Sequence, residues 1–163
     1  MNSPPWWAII FFRQGANMQM QNQSISIYLD SKPVACPRPR VTSGFAYMPK
    51  TYVKWKAEQK FKVMTQTNQR LITSPVALVL SFVFTRPKGM MRKADPTERI
   101  FKDTKPDIDN LCKSIMDVLQ DCKIIKDDSQ VVSVIAQKWY GAIIDKKKSE
   151  QNHIKIDIYP LKR

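Results

Sequence analysis

The stretch Val76-Ala-Leu-Val-Leu-Ser-Phe-Val-Phe84 constrains this chain more than any other. It is apolar apart from Ser81, rich in β-branched and aromatic residues, and has Pro75 and Pro87 on its flanks. Prolines on both sides break a helix, and the run is well short of the roughly 18 apolar residues that span a bilayer, so it reads as a buried strand. Three more segments alternate as strands do: residues 24–30 through Ile25, Ile27 and Leu29, residues 130–140 through Val132, Val134 and Ala136, and residues 153–159 through Ile154, Ile156 and Ile158. Two segments have helical spacing. Residues 51–72 carry a broken stripe of Tyr52, Trp55, Phe61, Met64 and Leu71, and residues 109–121 carry Leu111, Ile115, Val118 and Leu119 on one face. The order strand, helix, strand, helix, strand, strand predicts an α+β fold, a single domain with a mixed β-sheet and two main helices packed on it. A length of 163 residues suits one such core. Residues 1–23, with their Pro-Pro-Trp-Trp start and Asn/Gln-rich continuation, read as a flexible N-terminal extension ahead of a domain at 24–163. The alternative is a strand or clamp that docks Trp6 and Trp7 on the body.

The formal net charge of +13 calls for a polyanionic partner, nucleic acid or an anionic membrane surface. No long basic helix with a clean apolar face appears, so a membrane is the weaker choice. A single histidine excludes zinc clusters of the usual spacing, and four glycines form neither a P-loop nor a dinucleotide fingerprint. Cys36, Cys112 and Cys122 are sparse and odd in number, which points to a reducing cytoplasm and no disulfide framework.

The charge is uneven. Residues 32–62 hold eight basic side chains against one acidic, whereas residues 107–128 hold six acidic against three basic. Such an island is either an ordinary solvated helix surface or a carboxylate cluster that a basic surface delivers to a phosphodiester. Its spacing favours the second reading. Pro106 leads into Asp107 along an extended path, so Asp107 and Asp109 face the same way and Ile108 faces the core. Asp109 is the expected helix N-cap, with Lys113 and then Asp117 following at four-residue intervals on its face. After the helix, a short return is expected to bring one of Asp127 and Asp128 back to Asp107 and Asp109. Three carboxylates and several waters suit Mg²⁺, which would polarise a phosphate and activate water, with Lys113 offsetting the added negative charge.

Lys-Pro-Asp-Ile-Asp-Asn-Leu-Cys-Lys at 105–113, continuing to Leu119, and Asp-Asp-Ser-Gln-Val-Val at 127–132 resemble the RusA family of Holliday junction resolvases. Pro-Arg-Pro-Arg at 37–40, with Tyr47, Pro49 and Lys50, is similar to the family's N-terminal pattern, and the resemblance covers about residues 24–160. It implies a RusA-like fold and a homodimeric, Mg²⁺-dependent endodeoxyribonuclease, with Mn²⁺ as a substitute, that nicks four-way DNA junctions symmetrically in recombination and repair. Such proteins are bacterial or phage-encoded and cytoplasmic, and use no small-molecule cofactor. The resemblance places the metal-binding and catalytic aspartates on Asp107, Asp109 and Asp128, rather than Asp127, and the catalytic lysine on Lys113. Asp117 is expected to give structural support.

Arg38, Arg40, Lys50, Arg92 and Lys105 are the expected DNA contacts. Lys54, Lys56, Lys60 and Lys62 read as a solvated helix face, and Lys146 to Lys148 as a charged turn. Trp55 and Trp139 read as core, as does Cys112; Met90, Met91 and Phe101 read as core or loop ahead of wedges into a junction. Two rivals remain: a less selective nuclease acting on flaps, forks or RNA, and a catalytically inactive nucleic-acid binder of the same fold.

Overall fold

The computed structural model describes residues 24–42, 44–68, 71–145 and 148–162. The expected extension at 1–23, and Lys146 and Lys147 of the expected turn, lie outside them. The architecture is α+β. Strands β1 (Ile25–Leu29), β4 (Val76–Phe84), β5 (Ile100–Phe101), β6 (Val131–Tyr140) and β9 (His153–Pro160) form one sheet in the order β1-β9-β4-β6-β5. Strands β4 and β6 are parallel and every other pair is antiparallel. Two small hairpins stand apart: β2 (Arg40–Thr42) with β3 (Phe45–Tyr47), and β7 (Ile143–Asp145) with β8 (Lys148–Ser149). The expected strands at the core are all present, while the two hairpins and β5 carry too few apolar residues to show as alternation.

Helices α1 (Lys50–Gln66) and α2 (Ile108–Asp121) pack on the sheet and on each other. Alternate residues of the strands face them: Ile27 and Leu29, Leu78, Leu80 and Phe82, and Ile154, Ile156 and Ile158 are all buried. Helix α2 meets this layer with Leu111, Ile115, Val118 and Leu119, as its spacing predicts. Each fully buried aliphatic side chain contributes about 1.5–3 kcal/mol.

Helix α1 differs from its expected form. Its buried stripe is Tyr52, Trp55, Gln59 and Val63, and it stops at Gln66. Phe61 is 71% exposed and Leu71 lies beyond the helix. The i, i+3, i+7, i+11 spacing runs through a glutamine, so apolar residues alone misplace the face. Nor is the lysine row simply solvated. Lys56 pairs with Asp121 at 2.9 Å and Lys62 donates to the Asp30 carbonyl, fixing α1 to α2 and β1. Trp55 is core, but Trp139 is only half-buried, stacked on exposed Phe101 with ring centroids 4.3 Å apart. Val132 and Val134 are also exposed, and β5 pairs with β6 only at Trp139 and Tyr140.

The C-terminal ends of β4 and β6 are held by two arginines. Arg86 is buried and donates to the carbonyls of Gly141 (2.8 Å), Pro96 and Glu98, rooting the basic loop that follows β4. Gly141 is required there: a Cβ would lie 2.7 Å from that of Glu150. Arg99 grips Glu150 through two hydrogen bonds of 2.7 and 2.8 Å, and Glu150 also accepts the Ala142 N–H. The Arg99 hydrogen bonds, helped by that N–H, lower the Glu150 carboxyl from 4.5 to about 2. Because the folded value is depressed, this contribution is present above pH 4.5 and is lost as pH falls towards 2. Glu150→Gln should therefore melt lower than wild type at neutral pH, with the difference shrinking across that window in thermal melts.

Candidate active site

Asp107 is the N-cap residue of α2 (φ −71°, ψ 141°), and its carboxylate takes no helix N–H. Asp109 lies inside the first turn. The helix thus begins before the expected cap, and Ile108, its first residue, is 38% exposed rather than core-facing. Asp107 caps the helix from extended backbone and Asp109 is its second residue, so both carboxylates lie at the N-terminal end of α2. Both are exposed, as is Lys113 one turn on. The positive end of the helix dipole offsets part of the repulsion between them.

Asp117, a further turn on, is half-buried. It accepts a 3.4 Å hydrogen bond from the Tyr52 hydroxyl and lies 3.8 Å from Cys36 Sγ. Burial, aided by Cys36 and Asp117, pushes the Tyr52 phenol well up. Asp117 therefore joins α1, α2 and the segment before β2.

The Asp127-Asp128 pair does not return to Asp107 and Asp109. Helix α2 closes in a Schellman motif: Lys123 is left-handed (φ 55°), its N–H reaches the Gln120 carbonyl at 2.9 Å, and the Ile124 N–H reaches Leu119 at 3.0 Å. The chain then runs to the start of β4 and β6, where Ile72 bridges Ile125 and the Gln130 amide donates to the Ile72 and Ser74 carbonyls. The first turn of α2 sits at the other end of β6, where Lys138 Nζ donates to the Thr104 and Pro106 carbonyls at 2.9 and 2.7 Å. The length of α2, ~20 Å at 1.5 Å per residue, separates Asp109 from Asp128. Among the described residues, no three Asp, Glu, His or Cys side chains converge as a metal site.

The two aspartates of the pair differ. Asp127 caps the turn Asp128–Gln130, accepting the Ser129 N–H at 2.9 Å, and that bond holds its carboxyl below the usual range. Gln130 also accepts the Lys126 N–H. Asp127 and Gln130 thus shape the loop, while Asp128 is presented, exposed, on the first residue of the turn.

A cationic cleft adjoins the first turn of α2. It measures about 350 Å³ and is lined by Lys32, Lys102 and Lys105 with Phe84, Pro106 and Tyr140 among its walls. Lys102 is buried to 8% exposure, yet among the described residues it meets no carboxylate. Its ammonium donates to Thr104 Oγ1 and Tyr140 Oη and lies over the Phe84 and Tyr140 rings, 5.2 and 4.8 Å from their centroids. The Thr104 hydrogen bond, then Lys102, lowers the Tyr140 phenol. A buried ammonium compensated by hydroxyls and rings retains attraction for an anion. Lys32, Lys102, Lys138 and Tyr140 escape sequence reasoning because they sit outside the motif; a lysine placed after the apolar pair Ile100 and Phe101 is the one available signal.

Of the expected DNA contacts, Lys105 lines this cleft. Arg38 and Arg40 are exposed at the base of the β2–β3 hairpin and Lys50 opens α1. The preceding segment is tied to α2 by the Cys36 N–H donating to the Asn110 carbonyl at 2.9 Å, which brings these residues to the end of α2 that bears Asp107 and Asp109. Arg92 is exposed in a turn closed by Asp95 accepting its N–H at 2.6 Å. No helix among the described residues is long and apolar enough to cross a membrane.

A model of the family described as endodeoxyribonuclease RusA matches residues 30–159. YqaN, an uncharacterized protein of Bacillus subtilis strain 168, is 32% identical over 120 residues, which cover 68% of this chain and 83% of that protein.

Proposed function

We propose that this chain, which belongs to the RusA family of endodeoxyribonucleases, resolves four-way DNA junctions as a homodimer with the help of a divalent cation of the Mg²⁺ class. The observation that carries this reading is the exposed Asp107–Asp109 turn, with Lys113 beside it, bordered by the lysine cleft. Mg²⁺ characteristically binds one or two carboxylates together with waters and a substrate phosphate, and Asp107 and Asp109 present two carboxylates with no helix-capping duty. Bound there, the cation would act as a Lewis acid and lower the pKa of water.

The protein's own groups do the rest. Lys32, Lys102 and Lys105 attract the DNA backbone beside the acidic turn, so the strand arrives neutralised where two carboxylates alone would repel it. Lys138 holds the Thr104–Pro106 backbone and thereby the position of Asp107. Lys113 offers a point charge to the negative charge that grows on the phosphoryl oxygens during in-line attack.

The third carboxylate is supplied by a second copy. Residues 131–137 of β6 form a sheet edge with Val132 and Val134 exposed, 56% and 40%. An unpaired edge of this kind invites a strand. Two β6 edges paired antiparallel about a two-fold bring the start of one strand beside the end of the other. Asp128 of the partner subunit then approaches Asp107 and Asp109, and the symmetry makes two such sites. Paired sites suit paired nicks in a four-stranded junction.

The test is an end-labelled four-way junction and its matched linear duplex, incubated with Mg²⁺ or with EDTA. Symmetric paired nicks in the junction alone, and only with Mg²⁺, are expected. Equal cutting of flaps or linear DNA would replace the resolvase with a less selective nuclease. Tight binding without nicks in Mg²⁺ or Mn²⁺ would replace it with an inactive binder.

A further inference from the structure

Every residue of strands β2 and β3 is exposed. The hairpin's register pairs Arg40 with Tyr47, Val41 with Ala46 and Thr42 with Phe45. Directly paired residues share a face, and so do residues two apart on one strand. Arg40, Thr42, Phe45 and Tyr47 therefore form one face of the ribbon, a guanidinium and two aromatic rings on a surface of three residues by two. Phe45 is 80% exposed and Tyr47 46%. Gly44 supplies the turn with φ +83°, a conformation that other residues strain to adopt.

A two-stranded ribbon with its aromatic residues in water is marginal by itself, so such a face implies a partner that covers it. Charge identifies the partner. No acidic residue occurs between Asp30 and Glu58, and Lys32, Arg38, Arg40 and Lys50 flank the ribbon. A second copy of this +13 chain would meet repulsion here, whereas a polyanion with flat apolar faces would meet none. Nucleic acid with unstacked bases has that chemistry: its bases stack on aromatic rings and its phosphates pair with arginine. The ribbon also stands at the correct end of the molecule, since its root is bonded to Asn110 in the first turn of α2.

We propose that the Arg40–Thr42–Phe45–Tyr47 face of the hairpin receives unstacked bases at the branch point of DNA, stacking them on Phe45 and Tyr47 while Arg40 holds the adjoining phosphate. This rests on the reading of the protein as a branched-DNA nuclease and adds how the branch is told from continuous duplex. Continuous duplex offers phosphates but no free base faces, so it engages the basic flanks alone.

The experiment uses the full chain in EDTA, where binding is read without cutting. Four-way junctions carry 2-aminopurine either at the branch point or in mid-arm, and the phosphate-matched linear duplex serves as control. Binding should change 2-aminopurine fluorescence at the branch point and leave the mid-arm probe unchanged. The double variant Phe45→Ala/Tyr47→Ala should lose that response and bind the junction about tenfold or more weakly, with duplex affinity altered less than about twofold. Phe45→Trp should keep both response and affinity. Because these side chains are exposed, the double variant should melt with wild type, and Arg40→Lys, which keeps the charge, provides a variant that tests the face without removing a ring: it should retain the fluorescence response. Equal loss on junction and duplex, or an unchanged junction affinity and fluorescence response in the double variant, would overturn the proposal. So would a change in sedimentation, which would assign the face to self-association. A protein that nicks no junction yet shows the branch-point response would refute the nuclease reading and leave this one standing; nicking with no response would do the reverse.

Discussion

Asp109→Asn should nick a four-way junction ~1000-fold more slowly than wild type, equivalent to about 4 kcal/mol of transition-state stabilisation. Junction affinity measured in EDTA should stay within about threefold, because the change removes a negative charge near DNA and no contact that attracts it. Single-turnover nicking beside a gel-shift titration separates the two quantities. Asp109 is exposed in the first turn of α2, so asparagine there disturbs no packing, and the melting temperature should hold. Full nicking by this variant would remove the acidic turn from the chemistry. Asp117→Asn is the informative neighbour. That carboxylate is engaged by Tyr52, so its replacement should lower thermal stability more than it lowers the rate constant for nicking.

Mixing two inactive variants should restore cutting. Asp109→Asn and Asp128→Asn are each expected to be inactive alone. In a mixed dimer, one site takes Asp107 and Asp109 from the Asp128→Asn chain and Asp128 from the other, and is whole; the second site carries both lesions. Random reassortment makes about half of the dimers mixed, so about a quarter of all sites are restored. A mixed dimer has one working site, so the product is singly nicked junction rather than resolved duplexes. If each site were built within one chain, every site in the mixture would carry one lesion and no activity would return. Asp127→Asn is the control: its amide oxygen can still accept the Ser129 N–H, so the turn should hold and nicking should be retained.

Much of the fold is legible in the sequence because its core strands alternate or run apolar between prolines, and because α2 keeps a clean stripe. The hairpin at β2 and β3 is hidden by the same physics: its apolar residues face outward, so burial imposes no pattern on them. Gln59 conceals the true face of α1, since a buried amide reads as polar. At the candidate site the motif itself is visible, but its geometry is not. A helix cap at Asp107 rather than Asp109 is a shift of two residues that local spacing leaves open. The misplacement of Asp128 has a deeper cause. A parallel pair such as β4 and β6 requires the intervening chain to travel back along the sheet, and α2 does so. Its two ends must then lie at opposite ends of those strands. Reading the strands without their relative direction makes the return look short; knowing β4 and β6 to be parallel would have set Asp107 and Asp128 apart.

That separation bears on safety in a cell full of DNA. On the arrangement proposed, a solitary chain carries half of each cutting centre, however firmly its surplus of positive charge holds it to a chromosome. Nuclease power would then emerge only where two copies meet and, well below their dissociation constant, would decline with the square of concentration rather than in proportion to it. A single molecule scanning intact duplex would be harmless, and a break would require the coincidence of two proteins.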